Sequence, residues 1–168
     1  NVDLGAKGMS YRTNKGDIVL WGDSDADATN GGSVWVGATS TLNTINGDVT
    51  RTSTGGGSII IGGGSAGTTS PTGYLALRST GTGVCGFERG VSSATTETTK
   101  YYTGGGDFRV KVKGYAVGND ATCFTGATTL WANGGQIDVD SQNSINAGAL
   151  QISRLTPTAV TEFFSSSN

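Results

Sequence analysis

The sequence predicts an all-β protein, built as a β-solenoid with irregular loops. Glycine supplies 29 of the 168 residues, proline supplies only 2, and no long stretch shows the 3.6-residue periodicity of a helix. Short segments instead alternate apolar and polar residues with the period of two that is typical of strands. These alternating segments recur after glycines along the chain. A β-sandwich subunit of a filament is the alternative fold.

The segment 103–113 is the clearest copy of the repeat. After Gly106, apolar Phe108, Val110 and Val112 alternate with charged residues. The second and fourth positions after the glycine are also apolar in the other copies, whereas the third position varies freely. This pattern indicates a strand with one side in a common core and the other side facing outward.

Six copies define the organisation of the chain. They begin at Gly16, Gly32, Gly57, Gly106, Gly135 and Gly148. With a weak copy added at Gly83, the steps are typically roughly 20–25 residues, the size of one coil of a solenoid. We therefore expect all copies to stack in one ladder of roughly six or seven coils.

Two parts of the chain follow from this repeat. Residues 1–154 form the predicted repeat domain, and residues 155–168 break the rule, with Pro157 near the start of this tail. The tail is interpreted as an irregular cap, a linker or a strand exchanged with a neighbour. A stack of repeats without caps is incomplete alone, so the expected partners are copies of the protein or further repeats of the same chain.

Three glycine-rich segments resemble the repeats of filamentous haemagglutinin and related exported bacterial adhesins. They are GDIVLWGDSDA at 16–26, GGSV at 31–34 and TGGGSIIIGGG at 54–64. The resemblance implies a right-handed parallel β-helix, secretion to the bacterial cell surface, and a role as a stiff structural or adhesive fibre. It carries over no catalytic residues.

The charged residues favour a structural role over catalysis. The sequence has no histidine, which removes the usual base of nucleophilic catalysis. Asp138 and Asp140 could serve a polysaccharide-acting enzyme. However, Arg109 and Lys111 stand 29 residues before them, so stacked coils would pair the four in an ordinary charge ladder. A non-enzymatic fibre is therefore the leading interpretation.

Two alternative functions stay open at this point. One is a phage tailspike-like or polysaccharide-acting β-helix module, which would need a cluster of carboxylates in a groove. The other is a pilin-like filament subunit that exchanges a terminal strand, for which the tail at 155–168 is the only indication.

Asp23, Asp25 and Asp27 form the one candidate metal site. Alternating carboxylates in a loop can bind calcium, but the segment lacks the glycine and the downstream glutamate of an EF-hand. A solvated turn, in which the aspartates bond nearby backbone amides, is the simpler interpretation. No other cofactor is expected.

Outward apolar residues form a candidate interface. Trp35 and Ile60 occupy the third position of their copies, and Trp21 occupies the fifth position of its copy. Apolar residues on an outer face usually mark an interface or a covering loop. Stacking of surface glycans on Trp21 or Trp35 is the alternative.

Cys85 and Cys123 are too few and too far apart for a zinc site. They are predicted to form one disulfide in an exported protein, and two buried free thiols are the alternative.

The overall charge gives no reason to expect nucleic acid as a partner. The net charge is −2, from 11 basic and 13 acidic residues, and no basic cluster alternates with aromatic residues. No apolar run approaches the roughly 20 residues of a membrane-spanning helix.

Overall fold

The computed structural model describes about three fifths of the chain. The described residues are 2–4, 8–22, 34–47, 49–50, 53–63, 85–89, 98–112, 121–124, 127–141, 144–147, 150–153 and 161–165. Within these ranges the chain forms strands and connecting turns, and no helix. The prediction of an all-β protein is confirmed.

Fifteen short strands make up the regular structure. In chain order they are β1 (Val2–Leu4), β2 (Ser10–Arg12), β3 (Ile18–Trp21), β4 (Val34–Val36), β5 (Thr41–Asn43), β6 (Ile59–Gly62), β7 (Cys85–Arg89), β8 (Thr98–Tyr102), β9 (Phe108–Val112), β10 (Ala121–Phe124), β11 (Ala127–Trp131), β12 (Ile137–Ser141), β13 (Ser144–Ala147), β14 (Leu150–Ser153) and β15 (Thr161–Ser165).

The strands form three parallel sheets of five. Sheet A has the order β1-β4-β7-β10-β13, sheet B the order β2-β5-β8-β11-β14, and sheet C the order β3-β6-β9-β12-β15. Consecutive strands therefore enter sheets A, B and C in turn, and each group of three consecutive strands is called a rung, from rung 1 (β1 to β3) to rung 5 (β13 to β15). Parallel pairing between rungs is consistent with a β-solenoid, whereas β-sandwiches are built from antiparallel strands.

The register corrects the prediction of a single ladder. The copies after Gly16, Gly57, Gly106 and Gly135 do lie together, as β3, β6, β9 and β12 of sheet C. The other two copies lie elsewhere, since β4 is in sheet A and β14 is in sheet B. The prediction is wrong for these two because a glycine followed by alternating residues occurs before strands of more than one sheet.

The spacing between rungs is less even than predicted, and longer in three of four steps. Hydrogen bonds between equivalent residues just before the strands of sheet C span 41, 49 and 29 positions, instead of roughly 20–25. The last step, from Ile137 to its register partner Thr161, has the predicted length. The described strands accordingly make five rungs rather than six or seven. The extra residues lie in connections of unequal length, which is the irregularity that the sequence predicts.

The core lies between the sheets. On the inward side of sheet C, residues in register form the inner column, which consists of Ile18, Ile59, Phe108 and Ile137. The last three are completely buried. The Phe108 ring packs against Tyr101 of sheet B, with ring centroids 5.2 Å apart. Each such side chain contributes about 1.5–3 kcal/mol by its burial.

A column of glycines forms the corner that leads into sheet C. This glycine column consists of Gly16, Gly57, Gly106 and Gly135. A Cβ atom on Gly57 would lie 2.6 Å from the carbonyl group of Gly16, and Cβ atoms on Gly106 and Gly135 would lie even closer to the carbonyl of the glycine before them. A side chain does not fit at these three positions unless the rungs move apart.

Polar side chains link the rungs immediately after the glycine column. The backbone N–H of Ser58 donates to Asp17 Oδ1 at 2.7 Å, that of Asp107 donates to Ser58 Oγ at 3.1 Å, and that of Gln136 donates to Asp107 Oδ1 at 2.9 Å. This corner ladder satisfies amides at a bend. It explains why this position of the repeat is polar in these copies.

The tail contains a strand, and this strand pairs within its own chain rather than with a neighbour. Residues Thr161–Ser165 form β15 and pair in parallel with β12, so this part of the segment 155–168 continues sheet C. It is therefore not irregular over this range. The proposed boundary after residue 154 falls inside rung 5, between β14 and β15.

Candidate functional site

The outer side of sheet C carries the charged residues that the sequence singled out. Residues in register on this side form the outer column, which consists of Val19, Ile60, Arg109 and Asp138. Lys111 lies opposite Asp140 in the same pair of strands, and Lys111 Nζ is 3.5 Å from Asp140 Oδ2. The register is the one that the spacing of 29 residues predicts.

Arg109 makes its ion pair along its own strand. Its Nη2 atom is 2.8 Å from Asp107 Oδ2 and 3.4 Å from Gln136 Oε1, so it turns toward the corner ladder. Asp107 thus accepts from a guanidinium through Oδ2 and from a backbone amide through Oδ1. Because both side chains are about one third exposed, such a pair contributes about 0–1 kcal/mol.

The predicted apolar interface does not form a single patch. Trp21 and Ile60 lie in sheet C, but Trp35 lies in sheet A, in register with Asp3 and Glu88. Ile60 is only 5% exposed, whereas its register neighbour Val19 is 37% exposed. The prediction is wrong because it assigned the copy that contains Trp35 to the same ladder as the others.

An aromatic pair on sheet B was not predicted. Tyr102 and Trp131 lie directly opposite each other, with ring centroids 4.7 Å apart and an angle of 30° between the rings. Their neighbours Tyr101 and Leu130 are core residues, so the alternation places the pair on the outer side of sheet B. Tyr102 is nevertheless buried, and this burial raises the pKa of its hydroxyl group above the ordinary value of 10.0.

The structure does not test the roles predicted for the remaining candidate residues. Asp23, Asp25 and Asp27 lie outside the described residues, and the calcium site stays a prediction. Cys85 and Cys123 lie on the neighbouring strands β7 and β10, but Cys85 is opposite Ala121 and Cys123 is opposite Glu88. The disulfide also stays a prediction.

The described residues contain neither a cluster of metal ligands nor a membrane-spanning helix. No group of three or more histidine, cysteine, aspartate or glutamate residues there is arranged to hold a metal ion. None of the elements in these ranges is a helix long and apolar enough to cross a membrane.

Comparisons with known proteins give no relative from which a role could be transferred. No family model, no curated protein and no solved structure matches this chain.

Proposed function

We propose that the chain is a right-handed parallel β-solenoid that acts as a non-enzymatic structural or adhesive segment of an exported bacterial fibre. The observation that carries this proposal is the repetition of strands in sheets A, B and C through five rungs, with every pair parallel. An architecture of this kind extends along one axis and resists bending, because each rung is hydrogen-bonded to its neighbours along all three sheets. Those are the mechanical properties of a shaft.

The chemistry of the outer face supports a structural role. Lys111 and Asp140 are paired with each other, and Asp107 is occupied by Arg109 and by the amide of Gln136. Carboxylates with these partners serve to hold neighbouring rungs together. Asp140, one of the two carboxylates that the sequence offers for glycoside chemistry, is thus paired with Lys111 of the neighbouring strand.

Labelling of intact source cells tests the proposed function. Antibodies raised against the purified chain should bind the surface of cells that have not been permeabilised, along extended material visible by immunogold electron microscopy. An antibody against a cytoplasmic protein is the control for cell integrity. Labelling that appears only after permeabilisation would overturn the proposal.

A further inference from the structure

We propose that the open side of rung 1 binds rung 5 of a second copy of this chain, so that copies join end to end with all three sheets continuing across the junction. The inference deepens the proposed fibre function and rests on it for its biological purpose.

The first observation is an apolar surface at the end formed by rung 1. Four of its inward side chains pack on the core but remain only half-buried, namely Val2, Leu4, Tyr11 and Ile18, whereas Leu20 is buried. Their register partners in rung 2 are completely buried: Val34, Val36, Leu42 and Ile59. The difference arises because rung 2 is covered on both sides, whereas β1, β2 and β3 are the outer strands of their sheets. A further rung would bury the same side chains in rung 1.

The second observation is that, among the described residues, Gly16 has no steric reason to be glycine. Within that part of the chain a Cβ atom there would meet only the Cβ of Thr13, at the ordinary contact distance of 3.8 Å. Its φ angle is outside the left-handed region that favours glycine. The equivalent Gly57, Gly106 and Gly135 each face the carbonyl group of the rung before them. If another rung were stacked on its open side, a Cβ atom on Gly16 would face the carbonyl group of that rung in the same way.

The third observation indicates that rung 5 of a second copy covers the open side of rung 1. In a sheet of parallel strands the two edges differ, and the free groups on one edge are complementary to those on the other. Rung 5 forms the opposite edge of all three sheets. At the register positions of Val2, Tyr11 and Leu20, its strands carry the apolar residues Ile145, Ile152 and Phe163. Polar Thr161 stands at the position of Ile18. Such a contact between unlike surfaces does not close on itself, and it generates an open filament.

Sedimentation velocity over a range of concentrations, with negative-stain microscopy, tests the junction. The wild-type chain should form end-to-end oligomers that grow with concentration. Gly16→Ala should raise the dissociation constant about tenfold or more, since a loss of 1.4 kcal/mol at the contact already has that effect. Its melting temperature should not fall, because none of the described residues lies closer to the added methyl group than Thr13.

Two further variants separate assembly from folding. Val19→Ser changes an exposed residue on the outward side of the same strand and should assemble like the wild type. Gly57→Ala introduces within the chain the contact that Gly16→Ala introduces between chains, and it should lower the melting temperature. The fall in melting temperature of this variant measures the cost of placing a methyl group between two rungs.

Either of two results overturns the junction. One is a wild-type chain that sediments as a monomer at every concentration, and the other is a Gly16→Ala variant that assembles as tightly as the wild type. A monomeric chain that is nevertheless labelled on intact cells would overturn the junction and leave the proposed function standing. A chain that assembles but is not labelled on intact cells would overturn the proposed function and leave the junction standing.

Discussion

The two sides of sheet C follow different rules, although the same strands form both. The inner column is apolar in rungs 1 to 4 and completely buried in rungs 2 to 4. The outer column changes from Val19 through the covered Ile60 to the charged Arg109 and Asp138. Inner residues share one environment, because each lies between its equivalents in neighbouring rungs. Outer residues depend on what lies over each rung, and this changes along the axis.

The largest expected effect comes from the inner column. Phe108→Ala should lower the free energy of unfolding by about 3–5 kcal/mol, because it removes a completely buried ring that packs on Tyr101. Arg109→Ala, on the next residue but on the outer side, should lower it by no more than about 1 kcal/mol. Urea denaturation of both variants measures the difference. Equal losses would show that the two sides are not distinct.

Ile60 sharpens the comparison because it is an outer residue with the burial of an inner one. Ile60→Ala should cost about 2 kcal/mol or more, since the side chain is 5% exposed. Val19→Ala, at the neighbouring position of the same column, should change stability by only about 0.5 kcal/mol. The same denaturation experiment measures both. If Ile60→Ala were as mild as Val19→Ala, Ile60 would not be covered in solution.

Tyr102 extends the comparison to sheet B, where it is also an outer residue that is buried. Burial raises the pKa of its hydroxyl group, so the unfolded chain loses this proton at a lower pH than the folded chain. Stability should therefore be fully present below pH 10.0 and should fall as the pH rises through the raised pKa. Melting temperatures measured across this range test the effect. Tyr102→Phe should reduce the alkaline loss, whereas Tyr11→Phe, which leaves Tyr102 in place, should retain it.

The smallest expected effect is the coupling between outer charges. A double-mutant cycle on Lys111 and Asp140 should give about 0.2–1 kcal/mol, and this coupling should weaken at high salt. Arg109 and Asp138 are the matched pair, since they also lie directly opposite each other. We expect a smaller coupling there, because Arg109 is bonded to Asp107. A larger value for Arg109 and Asp138 would mean that Arg109 changes partner in solution.

The sequence predicted the parts of the fold that repeat with the same chemistry. The pairing of β9 with β12 could be predicted because both strands have alternating apolar residues, with opposite charges at equivalent outer positions. The spacing of 29 residues that relates Arg109 to Asp138 also relates Tyr102 to Trp131. The same spacing could therefore have predicted the aromatic pair on sheet B.

Other features had no distinct signal in the sequence. Glycine before an alternating segment marks a bend before a strand, and each rung has several bends, so the pattern did not assign β4 and β14 to their sheets. The place of β15 in sheet C was not predicted because Thr161 stands at the register position that Ile137 and Phe108 occupy in the preceding rungs. The burial of Ile60 depends on neighbours that the local pattern does not reveal.

The corner ladder has a consequence for the order in which the chain can fold during synthesis. In every described link, the acceptor side chain belongs to the earlier rung and the donating amide to the later one: Asp17 accepts from Ser58, Ser58 from Asp107, and Asp107 from Gln136. A ribosome produces the acceptor first, so each finished rung presents an oxygen atom to the amide that emerges next. We expect folding to advance from the N-terminal side, with each rung acting as the template for its successor.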